Sequence, residues 1–136
     1  MFDIKTGEVT VEGISLHKGQ DLASITVSGI SFFREFDIGN GWVHRNSGPH
    51  IFYGRKIITS MKFFAKKLMG FNIYISDINA TDSQQMKPEH DNFLENILGV
   101  PAEIDKYHII YKYSWGEIIS YYDPRGGDCA ISVSWI

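Results

Sequence analysis

Two carboxylates, a guanidinium and the single thiol of the chain fall within the stretch Asp123-Pro124-Arg125-Gly126-Gly127-Asp128-Cys129. A thiolate becomes a nucleophile when a neighbouring histidine lowers its pKa, and His17, His44, His50, His90 and His108 are the candidates for that role. The same residues also make an ordinary hairpin connection. Asp-Pro and Gly-Gly are turn formers, and Arg125 has Asp123 or Asp128 to pair with. A small residue flanked by Asp128 and Ala130 at the start of a strand suits a buried thiol better than a reactive one. The stretch therefore predicts a turn, with no catalytic residue assigned; the enzymatic alternative rests on Cys129 or on the 123–128 turn. For a metal, the nearest histidine pair is His44 and His50. The loop-like Arg45-Asn46-Ser47-Gly48-Pro49 between them lacks carboxylate and thiol, so no metal site and no cofactor are expected.

Two further groupings bear on binding. Arg55, Lys56, Lys62, Lys66 and Lys67 interleave with Phe52, Tyr53, Phe63 and Phe64, as a stacking platform for single-stranded nucleic acid would. A half-buried sheet shows the same alternation, and no RNP sequence accompanies it. Trp115, Tyr121 and Tyr122 offer aromatic anchors for a protein interface. Adjacent Tyr121 and Tyr122 must point to opposite faces of a strand, which puts one of them outward.

Composition narrows the classes. The 136 residues are 43% hydrophobic and 14% aromatic, and carry a net charge of −3, which suits one packed, β-rich domain. Residues 1–76 hold nine Lys/Arg against six Asp/Glu, and residues 77–136 hold four against ten. An acidic second half and a pI near 5.9 oppose nucleic-acid binding and permit a basic protein partner. The N-terminus lacks the charged and apolar regions of an export signal, and the longest uncharged run, 69–76, is too short to span a bilayer. One cysteine permits no internal disulfide. These features predict a cytoplasmic location without membrane association.

The elements that position these groups follow from periodicity and punctuation. Strands are predicted at 2–5 and 8–11 around Thr6-Gly7, at 32–38 ending in Gly39-Asn40-Gly41, and at 51–58, 61–68 and 71–77 with a break at Gly70. Segment 20–27 reads as a short helix or a strand. Segment 59–69 has a helical alternative, with Met61, Phe64, Ala65 and Leu68 on one side. Residues 78–87 read as an exposed connector that divides the chain. A firm helix is predicted at 88–98, with Pro88 in its first turn, Gly99 past its end, and Phe93, Leu94, Ile97 and Leu98 as its apolar stripe. Strands at 107–113, 117–122 and 129–136 complete an antiparallel meander. The first half suggests a degenerate version of the same order, helix and then strands.

The order helix, Leu98-Gly99-Val100-Pro101, then strands carrying Tyr111, Tyr113, Trp115 and Gly116, resembles the helix-plus-meander unit of the BamE-like and β-lactamase-inhibitor-like small bacterial domains, over about residues 88–136. The resemblance implies a domain that presents a sheet to another protein. It transfers no catalytic residue, and the export signal and lipid-modified cysteine of the lipoprotein members have no counterpart in this chain. By analogy with small bacterial immunity proteins, the expectation is a non-catalytic, α+β single domain of 1–136, an antiparallel sheet with one or two helices on one face. It would neutralise a basic toxin domain by occlusion. Trp115, Glu117, Tyr121, Tyr122, Asp123, Arg125 and Asp128 form the expected partner-binding set, with Glu95, Glu103 and Asp105 adding negative charge.

Overall fold

The computed structural model describes residues 1–78 and 83–136. A small hairpin, β1 (Val9–Val11) and β2 (Ile14–Leu16), is followed by α1 (Leu22–Val27) and a four-strand meander: β3 (Phe32–Gly39), β4 (Trp42–Phe52), β5 (Arg55–Phe64) and β6 (Lys67–Ile75). Next come α2 (Ser83–Leu98) and a second meander: β7 (Glu103–Ile104), β8 (His108–Tyr113), β9 (Gly116–Tyr122) and β10 (Cys129–Trp135). The last strands of the two meanders pair antiparallel, making one eight-stranded sheet of order β3-β4-β5-β6-β10-β9-β8-β7. The order helix then four strands thus occurs twice, and the two halves share one sheet.

The register decides which face is covered. Met61 aligns with Phe71, Phe71 with Val133, and Val133 with Ile118, and all four are buried. Onto this face α2 lays buried Phe93 and Leu94 with partly buried Ile97 and Leu98, α1 contributes Ile25, and the small hairpin contributes Val9, Val11 and Leu16. Each such side chain contributes about 1.5–3 kcal/mol by leaving water. Residues one step along each strand face the other way, where no helix of the described residues lies.

Several boundaries differ from the sequence expectation. Segment 2–5 forms only a bridge, Phe2 to Val9, and the ordered hairpin turns at Glu12-Gly13 instead. Segment 20–27 is helical, as α1. The single strand expected at 51–58 is broken at Tyr53-Gly54, where β4 turns into β5. Segment 59–69 is neither a helix nor one strand, because β5 turns into β6 at Ala65-Lys66, with φ of 48° and 66°. Those two residues accept a left-handed conformation that no glycine advertises, since the flanking strands bury Met61, Phe63 and Leu68 with period two. Gly70 does not break β6. It lies inside the strand, where a Cβ would come within 2.9 Å of the Val133 carbonyl oxygen. The helix α2 starts at Ser83, before Pro88, which sits inside it and forgoes one backbone bond. Of the expected connector, residues 83–87 are helical and 79–82 lie outside the described residues.

Candidate functional site

The uncovered face is continuous across the whole sheet. One row of aligned residues crosses all eight strands: Arg34 beside Asn46, Asn46 beside Ser60, Ser60 beside Asn72, Asn72 beside Ser132, then Ile119, Ile110 and Glu103. A second row carries His44 beside Lys62 and Glu117 beside Lys112. With strands spaced about 4.8 Å apart, the face is about 34 Å wide and roughly 20 Å tall, on the order of 700 Å². That approaches the ~800 Å² that one partner contributes to a standard protein interface.

Its centre is polar and incompletely satisfied. The Tyr121 hydroxyl donates to Asp128 Oδ2 at 2.6 Å, so its oxygen is left to accept from Asn72 Nδ2 at 3.2 Å. This fixes the amide orientation and leaves Asn72 Oδ1 buried without a partner among the described residues, as is Asn46 Oδ1 two strands away. A buried acceptor left unpaired costs about 1–3 kcal/mol. Burial also lowers the Lys62 pKa, opposed in part by Asp128, and lowers that of His44, where Lys62 adds to the effect. Burial and the bond to Asp128 raise the Tyr121 pKa. Lys62 makes no ion pair among the described residues.

The structure divides the partner-binding set expected from sequence. Glu117 and Tyr121 lie on the uncovered face, and Asp128 holds Tyr121. Tyr122, Asp123 and Arg125 line a shallow depression of about 370 Å³ at one end of β9, together with Tyr107, His108 and Tyr121 itself. Trp115 lies at the other end and is engaged internally. Its indole N–H donates to the Ile4 carbonyl at 2.9 Å, and its ring stacks on Tyr113 at 5.2 Å. The acidic residues do not converge. Glu103 pairs with Lys112, Asp105 with His108 and Asp123 with Arg125. The 123–128 segment is a hairpin connection, closed by Asp123 N–H to the Asp128 carbonyl at 2.8 Å.

The basic and aromatic residues of 52–67 disperse. Phe52 and Phe63 are buried in the core, Arg55 is held by Asp77 through three hydrogen bonds, and Lys67 pairs with Asp21. His44 and His50 also separate. His44 is on the uncovered face, whereas His50 bonds on the other side to Ser47 and Glu12.

That last arrangement has the connectivity of a nucleophile, base and acid: Ser47 Oγ lies 2.9 Å from His50 Nε2, and His50 Nδ1 lies 2.6 Å from Glu12 Oε1. Sequence reasoning missed it because Glu12 is remote in the chain. Ser47 is 0% exposed and its hydroxyl also meets Thr59 Oγ1, so no substrate carbonyl reaches it in this conformation. The relay tethers the β1–β2 turn to β4.

The second unexpected group is buried beneath α2. His90, 0% exposed, accepts the Ile75 N–H at Nε2, 3.1 Å. Its proton therefore sits on Nδ1, 3.6 Å from Cys129 Sγ. Asp91 beside it accepts from Lys87 and from Ser120. Burial lowers the His90 pKa to about 4, Asp91 opposing and Lys87 and Arg55 assisting, and raises that of Cys129 to about 11. Both groups are neutral at pH 7, so this is not an activated thiolate–imidazolium pair. The spacing of His90, Leu94 and Ile97 on the apolar stripe is the sequence signal that would have found it.

Acid sensitivity follows. Above pH 6.5 His90 is neutral folded and unfolded and contributes nothing. As pH falls from 6.5 towards 4 the unfolded chain takes up a proton that the folded chain refuses, so stability falls by about 3 kcal/mol over that window. Urea unfolding at pH 7.5 and 4.5 should show this loss. His90→Gln, which cannot titrate, should lose that part of the pH dependence; an unchanged dependence would refute the assignment.

No family model, curated protein or solved structure matches the chain. Among the described residues, no helix is long and apolar enough to cross a membrane.

Proposed function

We propose that this chain is a non-catalytic protein-binding domain that docks a partner on the uncovered face of its sheet, with occlusion of a toxin domain, in the manner of an immunity protein, as its most concrete form. The observation that carries the proposal is the continuous eight-strand row, of interface size, which holds two buried amide oxygens unpaired among the described residues and is flanked by Lys62, without an ion pair among them. A partner supplying an acceptor to the partly buried Lys62, whose pKa burial lowers and which makes no ion pair among the described residues, would offset a cost that the isolated chain bears alone. Ile110 and Ile119 give the row an apolar part, and Glu117 and Tyr121 remain the contacts from the sequence-based set. The net negative charge of residues 77–136 favours a basic partner. The nucleophilic groups are sealed inside, which supports binding over catalysis.

The test is affinity capture from the native cells with the tagged chain and with a Glu117→Lys, Ile119→Arg variant. The expected result is a stoichiometric basic protein retained by the parent chain and lost from the variant, with unchanged thermal unfolding of the variant. A clean monomer, or capture that the variant leaves intact, would overturn the proposal.

A further inference from the structure

The two edges of the sheet are built differently. One ends in β7, two residues long. The other is β3, eight residues of which seven are exposed, and it leaves Phe33 59%, Phe36 43% and Ile38 57% exposed. A long edge strand with unpaired backbone groups and exposed apolar side chains is a template for another strand, which folded proteins ordinarily shorten, cover or interrupt. Between its irregularities at 32/34 and 37/39, β3 is regular over residues 34–37.

The sequence of that stretch decides what can pair with it. In a regular antiparallel pair, opposed residues share a face, so a two-fold axis joining two copies must pass through one residue of β3. An axis at Arg34 sets Arg34 against itself, one at Glu35 sets Glu35 against itself, one at Phe36 sets Glu35 against Asp37, and one at Asp37 sets Asp37 against itself. Every register centred on this regular stretch brings like charges together, which destabilises the pair. Self-association through β3 is thus disfavoured, and the edge is left for a different chain.

We infer that β3 is a strand-addition site for an extended segment of a partner protein that alternates basic and apolar residues; the expected charge of that partner rests on the docking proposal above. On the helix-covered side, where Glu35 aligns with Arg45 and Asp37 with Val43, the added strand presents Lys or Arg to the remaining oxygens of two carboxylates, Glu35 Oε2 already accepting from Arg45 at 2.8 Å and Asp37 Oδ1 from the Gly39 N–H at 2.9 Å. On the uncovered side it presents apolar residues to Phe36, whose ring already carries the Arg34 guanidinium at 5.8 Å. Main-chain hydrogen bonds supply affinity, and the alternating side chains supply selection.

A capped octapeptide alternating lysine and valine is the probe, titrated against the isotopically labelled full chain and followed by backbone amide shifts. The expected result is saturable shifts along β3 and β4 that weaken with salt, and at least tenfold weaker binding of two controls, glutamate in place of lysine and proline in place of the central valines. Glu35→Gln with Asp37→Asn should remove most of the preference for lysine over glutamate. Equal binding of both charges, shifts confined to the uncovered face, or no binding at millimolar peptide would overturn the inference. Partner capture lost on the uncovered-face variant, together with absent lysine-peptide binding, sinks strand addition and leaves the docking proposal standing; peptide binding at β3 with no captured partner does the reverse.

Discussion

Replacing Gly116 with alanine is expected to destabilise the fold by at least about 3 kcal/mol, a large share of the 5–15 kcal/mol that holds a domain of this kind together. Gly116 has φ of 151°, and a Cβ there would lie 2.0 Å from the Ser134 carbonyl oxygen and 3.0 Å from Trp135 Cα. Those atoms are backbone of β10, paired with β9 from Trp135–Gly116 to Cys129–Tyr122. They cannot retreat without opening the β9–β10 ladder that holds β7, β8 and β9 to the rest of the sheet. Gly54→Ala is the contrast. Its φ of 78° is also left-handed, but no atom lies within 4 Å of the added carbon, so only the roughly 1–2 kcal/mol conformational cost applies. Urea unfolding of both variants measures the difference; a Gly116→Ala chain within 1 kcal/mol of the parent would contradict the β9–β10 register.

The contrast between these glycines also explains how much of the fold was legible. Asn40-Gly41 announced the β3–β4 turn, because both residue types take positive φ without strain. Tyr53-Gly54 was hidden inside a run of strand-forming residues, and Ala65-Lys66 carried no turn former. There, the spacing of Met61, Phe64, Ala65 and Leu68 imitated a helix, although Phe64 is 42% exposed and Phe63 buried. Tertiary burial, not local preference, set the period. The end of α2 was readable from Gly99, whereas its start was not, because Pro88 is normally a first-turn residue and here lies inside the helix.

The candidate site was less legible than the fold for a related reason. An uncovered face is defined by what does not pack on it, and alternation along one strand does not say which side the helices take. Asn72 with Tyr74, and Ser132 with Ser134, are polar on alternate positions, but Ser120 is equally polar and faces α2, where it donates to Asp91. The acidic surplus of the second half was visible in the sequence, yet Glu103, Asp105 and Asp123 are each engaged by a partner close by. Residue type alone makes Trp115 an anchor, whereas its indole N–H is bonded to Ile4, from the far end of the chain.

Cys129 gives the sharpest separation between binding and catalysis. The residue is 3% exposed and burial lifts the pKa of its thiol from near 9 to about 11, so at neutral pH the folded chain offers about a hundredfold less thiolate than an ordinary cysteine. Shielding by α2 slows attack further. Alkylation of the native chain by iodoacetamide at pH 7.5 is therefore expected to run at least a hundredfold slower than in 6 M guanidinium chloride, and to rise with pH without a plateau below about pH 10. His90 cannot change this at neutral pH, because a ring with a pKa near 4 is uncharged and its Nδ1 proton is directed at sulfur rather than taken from it. His90→Ala should consequently speed alkylation, by loosening the packing over the thiol and leaving the Ile75 N–H unpaired. A native rate within tenfold of the denatured one, or a rate that falls in His90→Ala, would identify an activated thiol and favour the catalytic alternative over the binding proposal.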